Sequence, residues 1–175
     1  MVQYDDPDDD YSAVTRLLDT PPEAINWNIL DASTADREWH DLDRWVTWLK
    51  MTFGLPPSIV PPHWHRHDEL VWELSALHTH WLSCYHESAS PSAPIAWMRD
   101  FADARHRLRE WVSICGTRLD RDRPTRQTTW PGEKPEGAGG EVSIVDRQSD
   151  FEAFVRTDLR RRRAAEAVAE GALLA

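Results

Sequence analysis

Three histidines at alternate positions, His63, His65 and His67 in the string Pro61-Pro62-His63-Trp64-His65-Arg66-His67, have the types and spacing best suited to chemistry. If that string is extended, its period of two puts all three imidazoles on one side, as in a chelating strand, and imidazole nitrogen suits zinc. His80 and Cys84 stand four apart on a helix, within reach of a common ion. Neither a paired Cys-x-x-Cys nor a His-Glu-x-x-His accompanies them. Histidines at a helix entrance also cap, stack on tryptophan or face water. Zinc is therefore the alternative to a chain with no cofactor.

A cysteine nucleophile served by His80 or His86 competes with core packing, because Cys84 shares a stripe with Leu77 and Trp81. The carboxylates of Asp68, Glu69 and Glu73 cluster at a helix start, where the dipole accounts for them. Gly137-Ala138-Gly139-Gly140 precedes no strand-to-helix phosphate pattern. No catalytic residue is assigned, and the expectation is a non-enzyme.

Two further groups could bind partners. Eight of the ten tryptophans fall in residues 36–116, mostly on apolar stripes. Trp48, Trp64, Trp72 and Trp130 fall outside the clearest stripes and are candidates for an exposed patch, since indole is favoured at binding hot spots. The run Arg160, Arg161, Arg162 and Arg163 could touch phosphate or an acidic surface. Four consecutive arginines surround a helix as a collar, so any nucleic-acid binding is expected to be sequence-independent. Replacing all four is expected to leave the melting temperature nearly unchanged.

The elements that must position these groups read as all-α. An apolar period of three and four predicts a helix from about Ala35 to Phe53, carrying Trp39, Leu42, Val46, Leu49 and Phe53 and capped by Ser33 or Thr34. A second helix, from about Arg66 to Tyr85, carries Leu70, Leu74, Leu77, Trp81 and Cys84. The third, from about Ala93 to Cys115, is capped by Ser92 and carries Trp97, Phe101, Ala104, Leu108, Trp111 and Cys115. These three amphipathic helices form a Trp-rich core domain over 36–116. Residues 117–148 read as a Pro/Gly-rich linker with a short extended piece at 142–145. A fourth helix over 149–175 opens on a capping box, Ser149-Asp150-Phe151-Glu152.

Charge divides the chain the same way. Residues 1–36 hold nine acids against Arg16 alone, a net of −8, whereas 37–118 have ten acids and nine bases. Residues 1–35 therefore read as an acidic, largely disordered tail, with Trp27, Ile29 and Leu30 docking on the core. No apolar run approaches the ~20 residues of a membrane span. The first ten residues are acidic where a secretory signal would be basic and then apolar. Cys84 and Cys115 read as buried free thiols, and the expected location is cytoplasmic.

The strings Trp64-x-x-His67-x-x-Leu70-x-x-Glu73-Leu74-x-x-Leu77, Ser90-Pro91-Ser92-Ala93-Pro94-x-x-Trp97 and Asp100-Phe101-x-x-x-Arg105-x-x-Leu108 carry a family pattern. With Trp45-Val46-x-Trp48-Leu49 and the closing Phe151-Glu152-Ala153-Phe154-Val155, they resemble an actinobacterial family known as domain of unknown function 4913, over about residues 38–160. Members tend to have a cysteine just before the tryptophan of the first string, where this chain has His63. The resemblance implies a small helical protein, often encoded near plasmid or integrative-element genes, and supplies no activity. The leading expectation is a non-enzymatic interaction module with an unidentified protein partner. A histidine-cluster metalloprotein or metal-dependent hydrolase is one alternative, and a nucleic-acid-binding accessory protein using the C-terminal arginines is another.

Overall fold

In the computed structural model, which describes residues 22–125, 127–134 and 139–173, most of the chain lies in four α-helices around a Trp-rich core. Helix α1, Ala32–Phe53, buries Trp39, Leu42, Trp45, Val46 and Leu49 on the face their spacing defines. Its cap is Asp31, not Ser33 or Thr34. A carboxylate has two acceptor oxygens, and Asp31 takes both the Thr34 amide (2.7 Å) and the Thr34 hydroxyl (2.9 Å). The expected core boundary at residue 36 therefore falls inside α1. Upstream of it Trp27 is buried and Ile25 and Leu30 pack on the core, while Ile29 stays in solvent. The acidic stretch before residue 22 lies outside the described residues.

Gly54 ends α1 in the left-handed region (φ +59°), where a Cβ would be strained. The chain then runs through two Pro-Pro pairs to a single 3₁₀ turn, Trp64–Arg66. Helix α2, Asp68–Cys84, follows immediately, with His67 at its N-cap position. Helix α3, Ala93–Cys115, has the expected bounds, but the Ser92 side chain makes no capping bond. Pro94 in the first turn removes one of the amides a cap would serve. On α3, Trp97, Phe101, Ala104, Leu108 and Cys115 are buried, whereas Trp111 is 39% exposed. Val112, partly buried, packs against the core in its stead.

The segment after α3 is more than a linker. Two-residue strands β1 (Arg121–Asp122) and β2 (Val142–Ser143) pair antiparallel, Arg121 opposite Ser143 and Asp122 opposite Val142, and Asp122 and Ile144 are buried. Helix α4, Arg147–Leu173, begins two residues before the expected capping box. Asp146 accepts from the Ser149 amide (2.7 Å), and Glu152 instead accepts from the Gln148 side chain. The largest interface joins α2 to α3; α4 packs along α1 and touches the 3₁₀ turn. The histidine run thus sits at the junction of α2 and α4. Among the described residues no helix is long and apolar enough to cross a membrane.

Candidate functional site

The 3₁₀ turn overturns the chelating-strand geometry. Turning the backbone through Trp64–Arg66 breaks the period of two: His65 faces Asp150 and His67 faces Asp122, while His63 stays edge-on to His65. It also drives Trp64 inward, 2% exposed, against Trp39 and Phe151, so Trp64 is a core residue and not a partner contact.

His65 is buried, and its Nε2–H donates to Asp150 Oδ2 at 2.9 Å. The Arg66 fork grips the same carboxylate at 2.8 and 2.5 Å. Burial pushes the His65 imidazole down to about 4 against the pull of Asp150, with Arg147 and Arg66 adding to the lowering. Burial alone would raise the Asp150 carboxyl; the Arg66 and His65 hydrogen bonds outweigh it and hold it at about 2. His65 is therefore neutral at pH 7, and Arg66 carries the positive charge. His63 is buried beside His65, ring centroids 6.4 Å apart, and burial lowers its basicity too, against the pull of Asp150 and Asp122. His78, on α2, stacks on Trp45 with centroids 4.8 Å apart and is pushed by burial down to about 4.

His67 has a different environment. Its Nε2 lies 2.7 Å from Asp122 Oδ1 and its Nδ1 lies 2.9 Å from Thr125 Oγ1, whose hydroxyl donates to Glu69 Oε1 at 2.6 Å. Cys115, at the end of α3, completes the cluster. A ring nitrogen of His67, a Glu69 oxygen and Cys115 Sγ all lie within 4.8 Å of one another, the one such set of three among the described residues. Burial disfavours the imidazolium, but the Asp122 hydrogen bond outweighs it, with the Cys115 sulphur adding to the effect. His67 is raised to about 9. Asp122 mirrors this, since burial would raise its carboxyl and the His67 bond holds it below the usual range. The hydrogens then run as one chain, with both imidazolium N–H groups donating, one to Asp122 and one to Thr125, which passes its own to Glu69.

Local backbone chemistry places these groups. Gly116 ends α3 at φ +78°, and the Arg123 guanidinium occupies the space a Cβ would fill there. The chain folds back over residues 117–125 at this close approach, and β1 brings Asp122 to His67. A cysteine, a histidine and a carboxylate are the residue types of a nucleophilic centre. Cys115, His67 and Asp122 are nevertheless all buried, which seals the sulphur from substrate.

The other thiol fails on geometry. Cys84 Sγ is 3.6 Å from His80 Nδ1 and 3.9 Å from Nε2, so the sulphur sits nearly equidistant from both nitrogens and off either lone-pair axis. His80 Nε2 instead meets Asp100 on α3 at 3.0 Å.

Among the tryptophans, Trp48 (40% exposed) contacts Trp81 at 5.1 Å, and Trp81 contacts Tyr85 (50% exposed) at 5.4 Å. This ladder joins α1 to α2, and exposed Met51 and Leu82 lie one turn from Trp48 and Tyr85 along their helices. Trp72 and Trp130 are also exposed, but neither makes a ring contact among the described residues.

The arginine run is not a uniform collar. Arg162 is 10% exposed at its side chain; its Nε donates to Asp158 at 2.7 Å and its Nη1 to the Leu30 carbonyl at 2.8 Å. Arg161 reaches the other Asp158 oxygen at 2.6 Å, and Trp39 Nε1 donates to Asp158 at 3.0 Å. Among the described residues, Arg160 meets only the Thr157 hydroxyl. Arg162 is structural, which corrects the expectation that all four could be removed without cost.

Asp122, Thr125, Glu69 and Cys115 were not grouped from sequence, because 55 residues separate His67 from Asp122 and no local spacing announces the pair. Asp158-x-x-x-Arg162 did carry a signal, the i,i+4 acid–base spacing of a helix. The chain matches no family model, no curated protein and no solved structure.

Proposed function

We propose that this chain is a non-enzymatic helical module that binds a protein partner through the Trp48–Trp81–Tyr85 face. One observation carries the reading: Trp81 touches both Trp48 and Tyr85 in a ladder of three rings across α1 and α2, with the two outer rings 40–50% exposed. Rigid aromatic groups supply large contact area at low conformational cost, and tryptophan and tyrosine dominate binding hot spots. Trp48, Met51, Leu82 and Tyr85 carry no charge, so the edge suits a partner's apolar groove or helix and not a phosphate backbone. The burial of Cys115 supports the non-enzymatic part. An intracellular setting belongs to the same proposal, supported by two buried free thiols. Service to a mobile element's replication or transfer rests on the family resemblance of residues 38–160.

The nucleic-acid alternative loses support from the arginine geometry, since Arg161 and Arg162 already pair with Asp158. The test uses the partner retained by the full chain in its native host, rebound to purified variants in a calorimeter. Trp48→Ala and Tyr85→Ala should each weaken binding at least tenfold, with the melting temperature close to that of the parent. Trp72→Ala and Trp130→Ala should bind as the parent does. Loss confined to Trp72, Trp130 or the arginines would overturn the reading. So would a homodimer in sedimentation that Trp48→Ala dissociates, because the face would then belong to a second copy.

A further inference from the structure

We propose that Cys115, His67 and Glu69 form a zinc-class metal site, with Asp122 as the outer carboxylate that orients the histidine. This goes beyond the docking face, which lies elsewhere on α1 and α2, and uses a different donor set from the alternating histidines. Three observations carry it.

The first is convergence. Sulphur, imidazole nitrogen and carboxylate oxygen come from the end of α3 and the start of α2, all within 4.8 Å of one another, and Cys115 and His67 are buried. Around a tetrahedral zinc, bond lengths of 2.0–2.3 Å put ligand atoms about 3.3–3.7 Å apart. His67 Nδ1 and Glu69 Oε1 are already 3.8 Å apart.

The second is the direction of the imidazole. Nε2 faces Asp122 at 2.7 Å, leaving Nδ1 on the side of Glu69. A metal-bound histidine characteristically gives its other N–H to a carboxylate, which fixes tautomer and ring orientation. Asp122 stands where that partner belongs, placed by β1 and by the close Gly116–Arg123 contact.

The third is the chemistry of the donors. Thiolate, imidazole and carboxylate together suit zinc and its neighbours and not magnesium or calcium, which take oxygen ligands. The ionised thiol and carboxyl balance a divalent ion in a site where net charge is costly. The Thr125 hydroxyl now bridges Nδ1 and Oε1, the two atoms a metal would bridge, and rotation about its first side-chain bond releases both.

The test is cobalt titration of the full chain, made without a histidine tag and stripped with chelator. One equivalent should bind and produce a thiolate-to-cobalt charge-transfer band together with visible tetrahedral bands, all displaced by zinc. Cys115→Ser should abolish the charge-transfer band, and Glu69→Gln should weaken binding at least tenfold. Asp122→Asn should keep the band and weaken binding about 10- to 100-fold, as expected for an orienting carboxylate. Cys84→Ser should behave as the parent. Should Cys115→Ser fail to fold by circular dichroism, Glu69→Gln decides alone, since Glu69 is only partly buried and the amide preserves its shape. The proposal is overturned if no thiolate band develops. It is equally overturned if Cys84→Ser removes the band, or if His63→Ala and His65→Ala abolish binding while Glu69→Gln binds like the parent.

Discussion

Replacing Arg162 with alanine should destabilise the protein far more than replacing either Arg160 or Arg163. Arg162 and Asp158 form a pair whose side chains are 10% and 7% exposed, and the guanidinium also holds the Leu30 carbonyl. Removing one partner of a buried pair costs about 3–5 kcal/mol, because the remaining charge is stranded. Asp158 would keep Trp39 and the exposed Arg161, which lessens that cost. The lost bond to Leu30 adds to it, since a hydrogen bond from a charged donor is worth about 1.5–3 kcal/mol. The expected net is about 3 kcal/mol, a large share of the ~5–15 kcal/mol total of an ordinary domain. Urea unfolding read by tryptophan fluorescence measures it, and an unchanged m-value would confirm that only stability moved. Arg160→Ala and Arg163→Ala should each stay within about 0.5 kcal/mol of the parent, as surface changes do. If Arg162→Ala falls inside that same band, the clasp between α4 and residues 27–31 contributes nothing, and the reasoning fails.

Leu74→Asp and Leu108→Asp should each abolish cooperative unfolding, because both positions are fully buried and the new carboxylate has no partner there; a parent-like melt by circular dichroism would contradict the packing of α2 on α3. Acid should destabilise the protein well above the carboxylate range. His65 and His78 are held at about 4, so the unfolded chain takes up protons first as the pH drops. Their contribution is complete above pH 6.5 and falls by about 2 kcal/mol each by pH 5. Urea midpoints that are flat between pH 7 and 5 would refute it. The Asp150 contribution persists lower, being lost only as the pH falls below 3.8 towards about 2. Gly116→Ala should destabilise by at least 1 kcal/mol, on the order of the cost of a left-handed non-glycine residue, with Arg123 displaced as well; a neutral effect in the same urea assay would contradict the proposed placement of β1.

What sequence reveals here divides by range. The stripe Leu70, Leu74, Leu77 and the stripe Trp97, Phe101, Ala104, Leu108 were legible because a 3.6-residue period is local information, and both are buried. Trp111 misled because it falls in phase with that period, yet at that point Val112 takes the inward position. Trp64 and the three histidines misled for a related reason. Two prolines favour an extended lead-in, but the turn that follows sends His65 to α4, His67 to β1 and Trp64 into the core. The His67 centre was invisible because its members come from the start of α2, the end of α3 and a loop, and only tertiary folding brings them together. Asp150 was in plain view as a helix-start residue, while its role as the shared partner of His65 and Arg66 depends on α4 docking beside the 3₁₀ turn.

The proposed partner face is tested most directly by photocrosslinking in the native host, with a benzophenone amino acid placed at position 48, 85, 72 or 130 of the full chain. Adducts to one and the same protein at 48 and 85, absent at 72 and 130, are the expected result. Adducts at 72 or 130 alone, or at none of the four while the partner is still retained, would contradict the account.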